Sequence, residues 1–158
     1  MTANRRQSRA GTYLLLLEAK EPTTVTVGRL GCMSVEQGFY AYVGSAMAGL
    51  EPRLARHLRS AKAMHWHIDH LLGVTELVEI WAHRGEERLE CRWARLLREA
   101  LQQPMPGFGA SDCHCATHLF YAPERPSFKW FCGLQPGGEL VRLQAPEWLS
   151  ALPPPASR

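Results

Sequence analysis

The chain has no long apolar run. Leu14 to Leu17 is a stretch of four leucines, far short of the roughly 20 residues a helix needs to cross a bilayer. The opening Met-Thr-Ala-Asn-Arg-Arg lacks the apolar stretch of a secretion signal. The expectation is a cytoplasmic protein with no membrane partner. An excess of charge is also lacking: 18 Lys plus Arg stand against 15 Asp plus Glu, for a net +3. That balance permits a nucleic-acid partner without requiring one. Internal repeats are absent, as are Rossmann and Walker glycine patterns, and the sole asparagine is Asn4. The five cysteines, Cys32, Cys91, Cys113, Cys115 and Cys132, are an odd number in a chain without an export signal. They are poor material for a disulfide framework and better read as free thiols or a metal site.

What is present is ordinary globular composition. Hydrophobic residues make up 46% and charged residues 21% of 158, which excludes disordered, collagen-like and coiled-coil chains and suits one domain with its own core. Residues 1–10 and 151–158 read as flexible tails, the second proline-rich, around a single domain at 11–150. Gly11 to Glu18 reads as a buried strand, Thr23 to Leu30 as a half-exposed one and Phe39 to Ser45 as a third. The turn residues between them suggest an antiparallel meander.

Helices follow. Leu50, Leu54, Leu58 and Ala61 share one quadrant of a helical wheel, which predicts an amphipathic helix over 49–62 with Arg53, Arg56, Arg59 and Lys62 opposite. A short helix is expected over Trp66 to Leu72, a strand over Val78 to Trp81, and a helix over 86–101 with Leu89, Trp93, Leu96, Leu97 and Ala100 inward. A Pro/Gly loop, a Cys/His segment, a strand at His118 to Tyr121 and a hairpin from Phe128 to Leu143 complete an α+β domain, a small mainly antiparallel sheet flanked by helices.

Two helical features break the bland pattern. Arg53 and His57 stand one turn apart beside the leucine stripe, where a cation borders the core. Glu90 projects near Trp93 and Leu97, inside the apolar arc of its helix, where an unpaired carboxylate is costly. It calls for a positive partner, either a structural ion pair with Arg53 or Lys62 or a hard divalent cation, since Mg²⁺ typically binds through one or two carboxylates plus water and phosphate oxygens.

These residues carry a resemblance. Gly11-Thr12-Tyr13, then Tyr42-Val43-Gly44-Ser45, then Arg53-Leu54-Ala55-Arg56-His57, resemble the two signature motifs and the arginine helix of the GIY-YIG nuclease superfamily. His65-Trp66-His67-Ile68-Asp69, Gly107 to Cys113 and His118 to Tyr121 are similar to a related family of unknown function, whose members occur alone or joined to endonuclease III-type DNA repair enzymes. The resemblance implies hydrolysis of DNA phosphodiesters with one Mg²⁺ or Mn²⁺ ion, in DNA repair. By position, Tyr13 orients or deprotonates the attacking water and Tyr42 lines the same pocket. Gly44 keeps that pocket open to a phosphate, next to Ser45. Arg53 neutralises charge on the phosphorus, His57 belongs to the proton route and Glu90 holds the metal. Arg56 and Arg59 are at most phosphate contacts and otherwise a solvated helix face. The chain departs from the superfamily in the strand inserted between the two tyrosine motifs and in the missing late asparagine. It also has no room for a separate DNA-finding module, which implies modest affinity of its own or a repair-enzyme partner.

Two rival functions remain open at this level. One is a catalytically silent nucleic-acid-binding module that keeps the phosphate pocket. The other is a zinc-stabilised interaction domain built on Cys113-x-Cys115-x-x-His118, with His65, His67 or His70 as fourth ligand. The spacing is not that of a standard finger or ribbon, so zinc ranks below magnesium.

Overall fold

The computed structural model describes residues 9–59, 63–135 and 139–144. The chain runs β1 (Gly11–Ala19), β2 (Thr23–Thr26), a single 3₁₀ turn (Gly28–Leu30), β3 (Cys32–Val35), β4 (Gly38–Ala46), α1 (Leu50–Leu58), α2 (His67–Leu72), β5 (Glu76–Arg84), α3 (Glu90–Ala100), β6 (Leu119–Ala122), α4 (Phe128–Leu134) and β7 (Val141–Gln144). Five strands form one antiparallel sheet in the order β6-β4-β1-β5-β7, and β2 pairs with β3 in a separate hairpin. The fold is α+β, as expected. Among the described residues no helix is long and apolar enough to cross a membrane.

The leucine run becomes intelligible in this sheet. β1 lies at its centre and is covered on both faces, so its alternating side chains feed two cores and all four leucines are apolar. Leu15 and Leu17 join Tyr13, Tyr40, Tyr42, Leu50, Leu54, Ile68 and Leu71 on the face covered by α1, α2 and the β2–β3 hairpin. Leu14 and Leu16 join Val43, Trp81, Trp93, Leu97 and Phe131 on the face covered by α3 and α4. Burying each such leucine contributes roughly 1.5–3 kcal/mol, which is why the two faces, and not helix propensity, hold α1 and α3 in place.

Three expectations are corrected. The opening strands do not form a meander: β1 pairs directly with β4, and the insertion splits into β2, the 3₁₀ turn and β3. Gly28 and Gly31, with φ of 48° and 93°, bend the chain where one continuous strand was expected. The helix expected to reach residue 62 stops at Leu58, because Arg59 is already extended at φ −71°, ψ 131°; residues 60–62, with Lys62, lie outside the described residues. The expected hairpin at Phe128 to Leu143 is a helix followed by an edge strand. Ser127 caps that helix by accepting the Trp130 N–H, and Phe131 seats against Trp81 and Trp93. The expected tails lie outside the described residues, apart from Arg9 and Ala10, whose carbonyls accept from the N–H groups of Leu50 and Gly85.

Candidate functional site

The site is built where β1 begins and β4 ends. Antiparallel register sets Tyr13 opposite Gly44 and Leu15 opposite Tyr42, so both tyrosines point to the α1 face. Gly44 is required there. A Cβ at that position would stand 2.5 Å from the Tyr13 hydroxyl, so the missing side chain is what lets the ring lie across the neighbouring strand. The Tyr13 hydroxyl is hydrogen-bonded to His57 Nε2 of α1 at 2.7 Å, and both residues are buried. Burial raises the Tyr13 phenol to about 12 despite the opposing charge of Arg53. Tyr42 is raised well above the ordinary phenol value, first by burial and then by its neighbour Tyr13.

Arg53 leaves α1 on the side facing this pair. Its guanidinium donates to the Ser45 carbonyl at 3.1 Å and lies 4.4 Å from the centre of the Trp66 ring. Arg56 flanks the same ring at 4.1 Å. Its donors go to both carboxylate oxygens of Asp69 at 2.9 Å and to the Ala63 carbonyl. Asp69 in turn accepts the N–H groups of His65 and Trp66, closing the start of α2. Burial pushes the Asp69 carboxyl up, but the Arg56 bonds and these two N–H groups outweigh it and hold it well below the usual carboxylate range. The contact between His65 and Asp69 is therefore a backbone cap. Arg59 is exposed at the end of α1.

Glu90 arrives from the opposite face. The Leu89 N–H donates to Thr12 Oγ1 at 3.2 Å, tying the start of α3 to β1 beside Tyr13. The group that meets Glu90 among the described residues is an imidazole and not Arg53: its Oε1 lies 3.3 Å from His118 Nδ1, and its side chain is 22% exposed; Lys62, the other partner expected, lies outside the described residues. Glu90, Tyr42, Gly44, Ser45, Arg53, Trp66, Arg88 and Asp112 line one polar groove of about 350 Å³. Tyr13 and His57 are not on its surface but lie behind Gly44 and Arg53.

A second cluster adjoins the groove. Cys91, Cys113, Cys115 and His118 each place one ligand atom within 4.8 Å of all the others. The zinc expectation foresaw three of these four. The fourth is Cys91 of α3, and not His65, His67 or His70; His67 Nδ1 instead accepts the Gly109 N–H at 2.8 Å. Three thiols and an imidazole suit zinc far better than magnesium, which takes oxygen ligands, and this reverses the order in which the two metals were expected. Burial and mutual hydrogen bonding raise the Cys115 thiol to about 12. Burial lowers His118, with Glu90 acting against it.

Sequence reasoning missed Cys91, Arg88 and Asp112. Cys91 adjoins a residue singled out for its buried position, and Asp112 lies within a quoted motif, so the signals were adjacent to those that were read.

An antiparallel sheet covered on both faces, with a polar groove at one end and a thiol–imidazole cluster beside it, defines the class: an α+β domain able to hold a metal. The particular family follows from comparison. Residues 12–132 match the family described as domain of unknown function DUF123, and the chain belongs to it. No curated protein and no solved structure matches the chain.

Proposed function

We propose that the groove processes DNA phosphodiesters and that this domain is a metal-dependent nuclease-like module acting in repair. One observation carries the reading. Arg53 and Glu90 come from helices on opposite faces of the sheet and still border the same groove with Tyr42 and Ser45. The GIY-YIG resemblance of the motifs supplies the chemistry that such a convergence suits.

Arg53 is held by the Ser45 carbonyl and the Trp66 ring, so its fork is pre-aimed and offsets charge on the phosphorus at little ordering cost. Glu90 and Asp112 are the carboxylates of the groove, a donor set that fits one Mg²⁺ or Mn²⁺ completed by water and phosphate oxygens. Such an ion, when bound, offsets charge on the departing oxygen. The Tyr42 hydroxyl orients the substrate or its water. Tyr13, with its phenol raised to about 12, keeps its proton near neutral pH; it takes up a proton from the groove only as it hands its own to His57 Nε2, and it holds Arg53 in place. Arg56 is engaged by Asp69 and serves by stiffening the Trp66 wall. A repair-enzyme partner brings the domain to its target.

The buried Tyr13 favours one competing reading, a module that binds DNA without cutting it. Cleavage of labelled single- and double-stranded DNA with Mg²⁺, Mn²⁺ or EDTA distinguishes the two. The nuclease reading expects cutting that EDTA stops and a loss of at least about 100-fold in Arg53→Ala, with binding weakened far less. Binding without cutting supports the silent module. Neither binding nor cutting overturns both.

A further inference from the structure

We infer that Cys91, Cys113, Cys115 and His118 hold one Zn²⁺ in a closed four-ligand site, and that Glu90 is the positioning residue for its histidine. The site does not depend on what the groove does.

The ligand chemistry is the first argument. Three thiolates and one imidazole form a Cys₃His set, a standard structural zinc combination with no open position for substrate. The geometry is the second. With Zn–S near 2.3 Å and Zn–N near 2.0 Å, neighbouring ligand atoms of a tetrahedron stand roughly 3.5–3.8 Å apart. Here all four ligand atoms lie within 4.8 Å of one another, and Cys113 Sγ is 3.3 Å from His118 Nε2. Closure therefore needs only small side-chain shifts.

The orientation of His118 is the third argument, and the most specific. Its Nε2 faces the thiols while its Nδ1 faces Glu90 Oε1 at 3.3 Å. A carboxylate behind a metal-ligating imidazole fixes the tautomer that leaves the other nitrogen free to bind, and strengthens it as a ligand. His118 is itself buried, and the Phe108 carbonyl accepts its backbone N–H at 2.7 Å. The ring is thus met at both nitrogens while its backbone is fixed separately.

Topology states what the metal does. Cys91 sits in the first turn of α3, while the other three ligands belong to the long irregular connection between α3 and β6. Glu90 and Cys91 form one wall of the groove, and Asp112 and Cys113 another. A zinc tying these walls together fixes the groove's width and holds a loop that has little regular structure of its own.

The test uses the full chain purified without added zinc. Elemental analysis is expected to give one zinc per chain. Iodoacetamide with mass mapping is expected to label exposed Cys32 at once, and Cys91, Cys113 and Cys115 only after chelation. Replacement by Co²⁺ is expected to give the intense visible bands of a tetrahedral thiolate site. Cys91→Ser should lose the zinc, whereas Cys32→Ser should keep it. Glu90→Gln should weaken zinc affinity by about 10–100-fold while leaving the cobalt spectrum tetrahedral. Sub-stoichiometric zinc with freely labelled thiols, a disulfide among the three cysteines, or full zinc in Cys91→Ser would overturn the site. Unchanged affinity in Glu90→Gln would remove the positioning role. If Cys91→Ser fails to fold, alkylation of the wild-type chain decides. None of these readouts involves DNA, so failure here is separate from failure of the nuclease reading.

Discussion

The Tyr13 hydroxyl and His57 Nε2 meet at 2.7 Å inside the domain, joining the central strand to the first helix behind the groove. Tyr13→Phe keeps the ring's packing and removes that bond, so a cost of about 1 kcal/mol in urea unfolding is expected. Tyr13 holds its proton in the folded state to about 12, against an ordinary 10.0. A raised folded value means its contribution is complete below pH 10 and is lost as pH rises toward 12. Difference absorbance titration should therefore show a late phenol step in the wild-type protein that is missing from Tyr13→Phe.

Gly44→Ala places a methyl group 2.5 Å from the Tyr13 ring and hydroxyl. The ring cannot swing away without breaking its bond to His57, so the overpacking should cost about 1–3 kcal/mol by urea unfolding. Combining it with Tyr13→Leu should cost less than the sum of the two single changes, because the clash and the lost ring are the same event.

Asp69 is a buried carboxylate with a bidentate Arg56 and two backbone N–H donors. Asp69→Asn should lose roughly 2–3 kcal/mol at neutral pH, the scale of hydrogen bonds to a charged group. The folded carboxyl is depressed below its ordinary 3.8, so its stabilisation is present above that value and fades as pH falls below it. Urea midpoints at pH 6 and pH 3 should separate less in Asp69→Asn than in the wild-type protein.

Glu79 is 1% exposed and is met by Arg125, Arg142 and the Trp81 indole N–H, while the two arginines are nearly half exposed. That asymmetry fixes the order of costs. Removing both arginines strands a buried charge and should cost about 3–5 kcal/mol. Glu79→Gln lets the arginines return to water and still accepts from Trp81, so about 1–2 kcal/mol is expected. Thermal unfolding of the two variants gives the ranking, and a reversed order would mean that the carboxylate is hydrated.

Local patterns proved readable where the environment is one-sided or fully enclosed. Leu50 and Leu54 were legible as the buried face of α1, and Trp93 and Leu97 as that of α3, because a helix repeats its contact every turn. β1 was legible because a short apolar run bounded by turn residues suits a strand covered on both faces. The α4 segment was misread although Ser127 is a good cap and Phe128 and Phe131 stand at helical spacing: its aromatic content and the glycines after it imitate a hairpin. The pairing of β1 with β4 was out of reach, since the insertion between them folds back on itself and no local signal says so.

For the site, the sequence by itself determined its chemical inventory: a phenol pair, a guanidinium, an imidazole, one inward carboxylate and a run of thiols with a histidine. It also placed Glu90 beside the apolar arc of its helix, but the positive partner expected for it is not what the fold supplies: the carboxylate is 22% exposed on the groove and meets the imidazole of His118. Only the tertiary structure decided the partnerships. His118 rather than an arginine meets Glu90, Asp69 claims Arg56, and Cys91 completes the thiol cluster. The physical reason is distance: these bonds join groups that touch only after the sheet has closed and helices have covered both faces, and sequence spacing has no bearing on which side chains that closure brings within reach.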